Sequence, residues 1–410
     1  MLPILALILI QGLFPFFTLV FSGIRKNLEQ NVILVDSHMV ENRQVVLQND
    51  MVNQWSSIYK ESDSLDAALE TVLKAHKADM NTFLGSEELQ QQYLQTVFSD
   101  MVGVLQYHTA SGLFLVLGNN VSTDEAGKYN GFFVRDSDPQ TKVSSNTDLL
   151  LERGSKTLSQ EMDISLDSPW TGKFTFEGYG NREADAFFYE PYLAAKQYPT
   201  LDMVNLGYWS KPFVLEDQAV DNHIMITYSV PLVYDGVVYG VVGVEIGEKY
   251  LQSYFSVRDL DRQLNAGYAL AIDKGGNKYL DVSGKGALYD TVKRGDGTFT
   301  LANAEGEDFY EVSGATVGKQ KIYAVVKPMS LYSTNVPYED TNWVLCGFVT
   351  EDSVYGLGKS VYQKMAVAIF ASMILAVILL HILIKYLTKP VYRLMESVQG
   401  GVSGIHEFKQ

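Results

Sequence analysis

Residues 226–246 read ITYSVPLVYDGVVYGVVGVEI. Both halves alternate in the strand period about Asp235-Gly236, a dipeptide that favours positive φ at both turn positions, so a tight β-hairpin is expected. The second arm is almost entirely Val and Gly up to Glu245, as suits a central strand covered on both faces. Glu245 is the exception. A carboxylate near the end of an apolar strand is costly if unpaired, so it should meet water, a cation or a bound molecule.

Working outward, a chain of 410 residues exceeds one ordinary core, and two or more folding units are expected. The net charge of −16 argues against nucleic acid, or an anionic membrane surface, as the partner of the large polar part. Cys346 is the only cysteine, which excludes a disulfide framework and a Cys-rich metal site. His38, His76, His108, His223, His381 and His406 lack ligand spacing, and no phosphate-loop, dinucleotide, H-E-x-x-H or G-x-S-x-G pattern occurs. No cofactor is expected, and no enzymatic activity for the chain itself.

Residues 2–21 form an uncharged run long enough to span a bilayer, with a cleaved signal peptide as the alternative. The helical pattern continues over 21–59 with Leu28, Val32, Val35 and Met39 on one stripe, either packed on the chain's own domain or forming a homodimer seam. A polar break at 62–64 precedes a second helix (Leu65, Leu69, Val72), and Gly85-Ser86 precedes a third (Leu89, Tyr93, Val97, Met101) that ends near His108. Strands follow at 112–118, 131–135 and 148–152. A helix at 184–196 should be kinked or restarted by Pro191. After the hairpin come a short helix at 248–255, a second hairpin (267–273 and 278–282), and the strands FYEVSG, KIYAVVKPMSLY and NWVLCGFVTED. In both halves a Pro-containing strand is followed by an apolar strand, an acidic residue and a helix, so two related α+β units in series are expected. Residues 353–364 connect helically to a second span at 365–384, whose exit through Lys385, Lys389 and Arg393 fits the cytoplasmic side. Arg25 and Lys26 after the first span pull the other way, but long domains translocate largely regardless of charge.

This order of span, long helix, two α+β units and span resembles the double Cache (dCache) sensor domains of bacterial transmembrane receptors. The hairpin is similar to the family's segment through Thr227, Ser229, Pro231, Asp235, Gly236, Gly240, Gly243, Glu245 and Ile246. The resemblance implies an α+β fold: a long N-terminal helix carrying two PAS-like modules, a membrane-distal one over 109–260 and a membrane-proximal one over 261–352, flanked by two transmembrane helices. The ligand would bind in the distal module. Amino-acid-sensing members carry R-x-W-[YF], then P-Y-x-D, then a final Asp. Here the Arg position holds Asp185, with Arg182 the nearest guanidinium; Phe187 and Phe188 are the aromatic pair, Pro212-Phe213 stands for P-Y, Leu215 takes the Asp position and Glu245 replaces the last Asp. Lacking the bidentate Arg, the site is expected to take a cationic or amine-containing molecule against Glu245 and the aromatics Tyr179, Phe187, Phe188, Tyr189, Tyr192, Tyr208, Trp209, Phe213 and Tyr228. Core packing is the plain alternative for each aromatic ring. Residues 386–398, with Pro390 in a first helical turn, resemble the start of a HAMP linker within 385–410.

The expected function is therefore a sensor in the bacterial plasma membrane. A small molecule binds outside, and the signal passes inward to a cytoplasmic output domain, a diguanylate cyclase or histidine kinase, that the sequence does not contain. Two other classes stay open: an exported enzyme in which Asp185 and Glu245 converge, and a membrane-anchored adhesion or structural protein.

Overall fold

The computed structural model describes residue 14 and residues 23–407, except 142–145, 216–222, 262–264, 294 and 304–307. Apart from Phe14, the first expected span lies outside the described residues. Contacts divide the chain into a unit Asp36–Thr350 and a unit made of Met1–Val35 with Glu351–Gln410.

The long helix α1 (Ile24–Asn49) does not end in the expected polar break. It passes through a π turn (Asp50–Trp55) and a 3-10 turn (Ser56–Glu61) directly into α2 (Ser62–His76). Ser62 donates its hydroxyl to the Tyr59 carbonyl at 2.7 Å, so the polar residues tie two helical segments together instead of opening a loop. Helices α3 (Met80–Gly85) and α4 (Glu87–His108) follow, each started by a side chain that accepts a first-turn N–H: Asp79 from Thr82 and Ser86 from Leu89. The buried face of α1 holds Asp36, Ser37, Val40, Gln44 and Leu47, while Val35 and Met39 are 52% and 37% exposed. Of the expected Leu28–Met39 stripe, Leu28 and Val32 are thus half-buried and Val35 and Met39 exposed.

The first module is built from β1 (Gly112–Leu117), β2 (Gly127–Tyr129), β3 (Gly131–Asp136), β4 (Leu149–Arg153), helix α5 (Lys156–Met162), β5 (Ser165–Thr171), β6 (Phe174–Phe176), helix α6 (Ala186–Gln197), β7 (Tyr208–Trp209), β8 (Met225–Tyr234) and β9 (Val237–Gly247). Seven of these strands form one sheet in the order β5-β4-β3-β1-β9-β8-β7, antiparallel except for β4 and β5, and β2 pairs β6 separately. The hairpin lies near its centre. Asp235 and Gly236 take φ of +50° and +75°, and β9 is hydrogen-bonded on both sides and buried from Val238 onward. Helices α2 and α4 cover one face of the sheet and α6 the other.

After α7 (Glu248–Ser253) the second module comprises β10 (Ala266–Asp273), β11 (Lys278–Lys285), α8 (Ala287–Val292), β12 (Thr298–Asn303), β13 (Phe309–Val317), β14 (Gln320–Met329) and β15 (Asn342–Thr350). Its six strands close into an antiparallel barrel. Opened between β12 and β13, the barrel reads β12-β11-β10-β15-β14-β13, the same permutation as β4-β3-β1-β9-β8-β7 in the first module. The repeat seen in the sequence is therefore a repeat of topology, and closure is where the second copy departs. In the first copy α6 and its flanking chain are inserted before β7. In the second, β12 and β13 follow each other and pair.

In the other unit, α9 (Glu351–Glu407) takes the expected connecting helix, second span and juxtamembrane segment into one helix of 57 residues. Pro390 sits inside it and does not open a separate HAMP-like helix; a proline removes one backbone bond, and here the helix continues through that loss. The helix is long and apolar enough to cross a membrane, and Phe370, Ile374, Leu375, Ile378, Leu379 and Ile382 are all exposed around it. Near its start, a Cβ on Gly358 would lie 3.3 Å from the Glu29 side chain, so the glycine marks a close approach to residues 25–29.

Candidate functional site

The site face of the first module is set by α6. Pro191 lies inside this helix and does not restart it, and its missing N–H leaves the Phe187 carbonyl without its helical partner. Ser229 on β8 supplies the replacement, donating its hydroxyl to that carbonyl at 2.7 Å. One proline and one serine thereby fix the helix to the hairpin. Around this join, Phe187 stacks on Phe213 (5.4 Å between centroids, 6° between planes) and meets Phe114 edge-on at 4.9 Å, while Phe188 stacks on Phe176 and Tyr192. These rings belong to one buried cluster with Tyr129, Phe133, Phe174 and Tyr189.

At the edge of that cluster lies Glu245, fully buried. It sits opposite Gly112 on β1 and Thr227 on β8, and any Cβ on Gly112 would lie 2.4 Å from its Oε2. Its Oε1 is held by His223 Nε2. Among the described residues its Oε2 has no hydrogen-bond partner, and Arg135 Nε lies 3.8 Å away. Arg135 itself donates to Asp167 at 3.0 Å and Glu152 at 3.5 Å, and Arg153 lies 3.4 Å from Glu152 while bonding the Pro169 carbonyl. Burial pushes the Glu152 carboxyl up to about 7 despite Arg153 and Arg135. The cluster sets three carboxyl groups (Glu245, Glu152, Asp167) beside two guanidiniums (Arg135, Arg153), and the raised Glu152 pKa keeps that carboxyl partly protonated near neutrality. The hydroxyl of Thr227, directly across from Glu245, is also buried and has no partner among the described residues. A carboxylate oxygen and a hydroxyl in that state suit a donor that carries positive charge.

No family model and no curated protein matches the chain, but its structure is similar to several solved sensory domains. One is the ligand-binding domain of the Pseudomonas fluorescens chemoreceptor CtaA in complex with L-leucine (14% identity, 82% of this chain and 99% of that one, TM-score 0.37). Others are the extracellular domain of a putative histidine kinase, soHK1S-Z6 (13%, 82% and 98%, 0.36), and the sensory domain of the Campylobacter jejuni chemoreceptor Tlp3 (10%, 80% and 98%, 0.34).

The predicted residues divide into groups. Phe187, Phe188 and Phe213 share the buried face with Glu245, and Tyr208, opposite Ser229, lies at its edge against Tyr338 of the second module at 4.9 Å. Trp209 and Tyr228 pair with each other across β7 and β8 but point to the opposite face, where Trp209 meets Trp55 edge-on at 6.3 Å. They flank α1 and its π turn, so Trp209 does not converge with Glu245; side chains one residue apart on a strand point to opposite sides. Arg182 is bound to Asp185 through Nε at 2.8 Å and its terminal nitrogen at 2.6 Å, and Asp185 also accepts the Glu177 N–H. That pair pins the entry to α6. Tyr179 is half exposed, with its hydroxyl 3.4 Å from Glu190. Arg135, Glu152, Asp167, His223 and Thr227 were not singled out from sequence. The charged ends of GFFVR and DLLLE were the available signal, since strand alternation turns both toward the Glu245 edge.

Proposed function

We propose that the chain is a membrane-anchored receptor whose first module binds a small cationic or amine-bearing molecule at Glu245. The observation that carries this reading is Glu245 Oε2, buried and without a hydrogen-bond partner among the described residues. In the bound state the ligand's ammonium lies between Glu245 and the Thr227 hydroxyl and displaces His223, with Phe213 and Phe187 forming the apolar wall. Asp185 and Glu245, which an acid–base enzyme would need in one place, are held by separate partners, and this supports a receptor over an enzyme. The receptor lies in the bacterial plasma membrane, crosses it twice and keeps both PAS-like modules extracytoplasmic. It works as a homodimer whose seam includes the exposed Val35–Met39 stripe, and its output is a cytoplasmic diguanylate cyclase or histidine kinase domain.

Transmission follows from connectivity. The last strand of the second module ends at Thr350 and the apolar helix starts at Glu351, so sheet movement reaches the span with no flexible loop between. Ligand binding favours one of two packings of residues 25–29 against the Gly358 segment and shifts α9 by about an ångström. The test is a thermal-shift screen of the full chain in nanodiscs against amines, quaternary ammonium compounds and carboxylates. One cationic class should raise the melting temperature by several degrees, and Glu245→Gln should abolish that rise. A panel that gives no class-specific shift, or the same shift in Glu245→Gln, overturns the reading.

A further inference from the structure

At the turn end of the hairpin, away from Glu245, a cleft of about 550 Å³ opens between α6 and β9. Val233, Val237 and Val238 from the hairpin and Leu201, Met203 and Leu206 from the chain after α6 give it an apolar part, and Asn119, Asn120 and Tyr198 line the rest with polar groups. Two polar side chains enter from one face of α6, Tyr192 and Lys196, four residues apart. The Lys196 ammonium lies 4.3 Å from the centre of the Tyr192 ring and pairs with no carboxylate among the described residues. No acidic residue lines the cleft, although the chain as a whole carries a net charge of −16. Partial burial lowers the Lys196 pKa, the direction expected of an ammonium with no counter-charge. Gly118 makes room for the tyrosine, since a Cβ there would lie 2.7 Å from the Tyr192 hydroxyl oxygen, and that hydroxyl has no protein acceptor among the described residues.

We propose that this cleft is a second ligand site, selective for a soluble monocarboxylate with a short apolar tail. The carboxylate accepts from Lys196 Nζ and the Tyr192 hydroxyl, and the tail lies on the valines of the hairpin tip. The volume suits a small molecule, and the mixed lining offers an apolar part to the tail and donors to the carboxylate. The charge logic is the reverse of that at Glu245, so the two sites take ligands of opposite sign and stand or fall separately.

The test is calorimetric titration of the full chain in zwitterionic nanodiscs with hexanoate, hexylamine and hexanol, with empty nanodiscs to subtract partitioning. Hexanoate should bind saturably, and Lys196→Met should weaken it about ten-fold or more while Lys196→Arg retains it. Tyr192→Phe should give a smaller loss, and Glu245→Gln should leave hexanoate binding unchanged. Absence of saturable hexanoate binding, equal affinity for hexylamine or hexanol, or an unaffected Lys196→Met variant each overturns the proposal.

Discussion

Counting back three residues from the helix after each module's last hairpin gives Glu245 in the first module and Phe348 in the second. The surroundings correspond. Glu245 lies between Gly112 and Thr227, and Phe348 between Gly267 and Ala324. In the barrel the Phe348 ring joins a core of small and apolar side chains that includes Ala269, Ala271, Ala324 and Cys346. In the open sheet the same position holds a carboxylate with an unpartnered oxygen. The two modules share a strand permutation, and besides barrel closure they differ in this cross-strand triplet, so a buried carboxylate at this position is set by the residues and not by the permutation.

Exchanging the residues tests this directly. Phe348→Glu would bury a carboxylate with no cation, and a loss of about 5 kcal/mol is expected. Hydrogen exchange should then show β10 and β15 losing protection while β1 and β9 keep theirs; intact protection in β15 would break the comparison. Removing the charge from the first module, by Glu245→Ala, leaves Arg135 and His223 without their buried partner and should cost about 3–5 kcal/mol in denaturant unfolding. Ser229→Ala strands the carbonyl freed by Pro191 and should cost about 1–3 kcal/mol, with Ser229→Thr recovering part of it.

The smallest effect concerns pH. The Glu152 carboxyl has a folded pKa of about 7, above its ordinary value of 4.5, so the folded state holds the proton more tightly than the unfolded chain. The resulting stabilisation is complete below the unfolded value and is lost as pH rises through about 7. Stability should fall by about 1–2 kcal/mol between pH 5 and pH 8 through this group, and Glu152→Gln should flatten that part of the profile. Asp36, raised to about 7 by burial between α1 and the second module, contributes in the same direction and persists in the Glu152→Gln variant.

The hairpin was legible because two independent signals agreed, strand alternation and a turn dipeptide that accepts positive φ. The helices up to His108 were legible through their apolar stripes, although the π turn at Asp50–Trp55 has no mark in the sequence and the 3-10 turn at Ser56–Glu61 carries the helix through the expected break at 62–64. That Pro191 does not restart α6 was out of reach for a related reason. A proline's effect depends on whether something bonds the carbonyl four residues earlier, and Ser229 lies 38 positions further along the chain. Barrel closure was hidden because it rests on a short pairing of β12 with β13. Within the site, Glu245 stood out as a charge in an apolar run. Its partners come from β3, β4, β5 and the chain before β8, and only the register brings them together.

The edge-on contact of Trp55 with Trp209 places two of the four tryptophans 6.3 Å apart, one in the π turn and one on the edge strand of the first module. Two indoles so close and at 65° couple their electronic transitions. The near-ultraviolet circular dichroism of the unlabelled protein should therefore carry a signature of this one contact, and a change in how α1 lies on the sheet can be read optically, without adding a probe to the molecule.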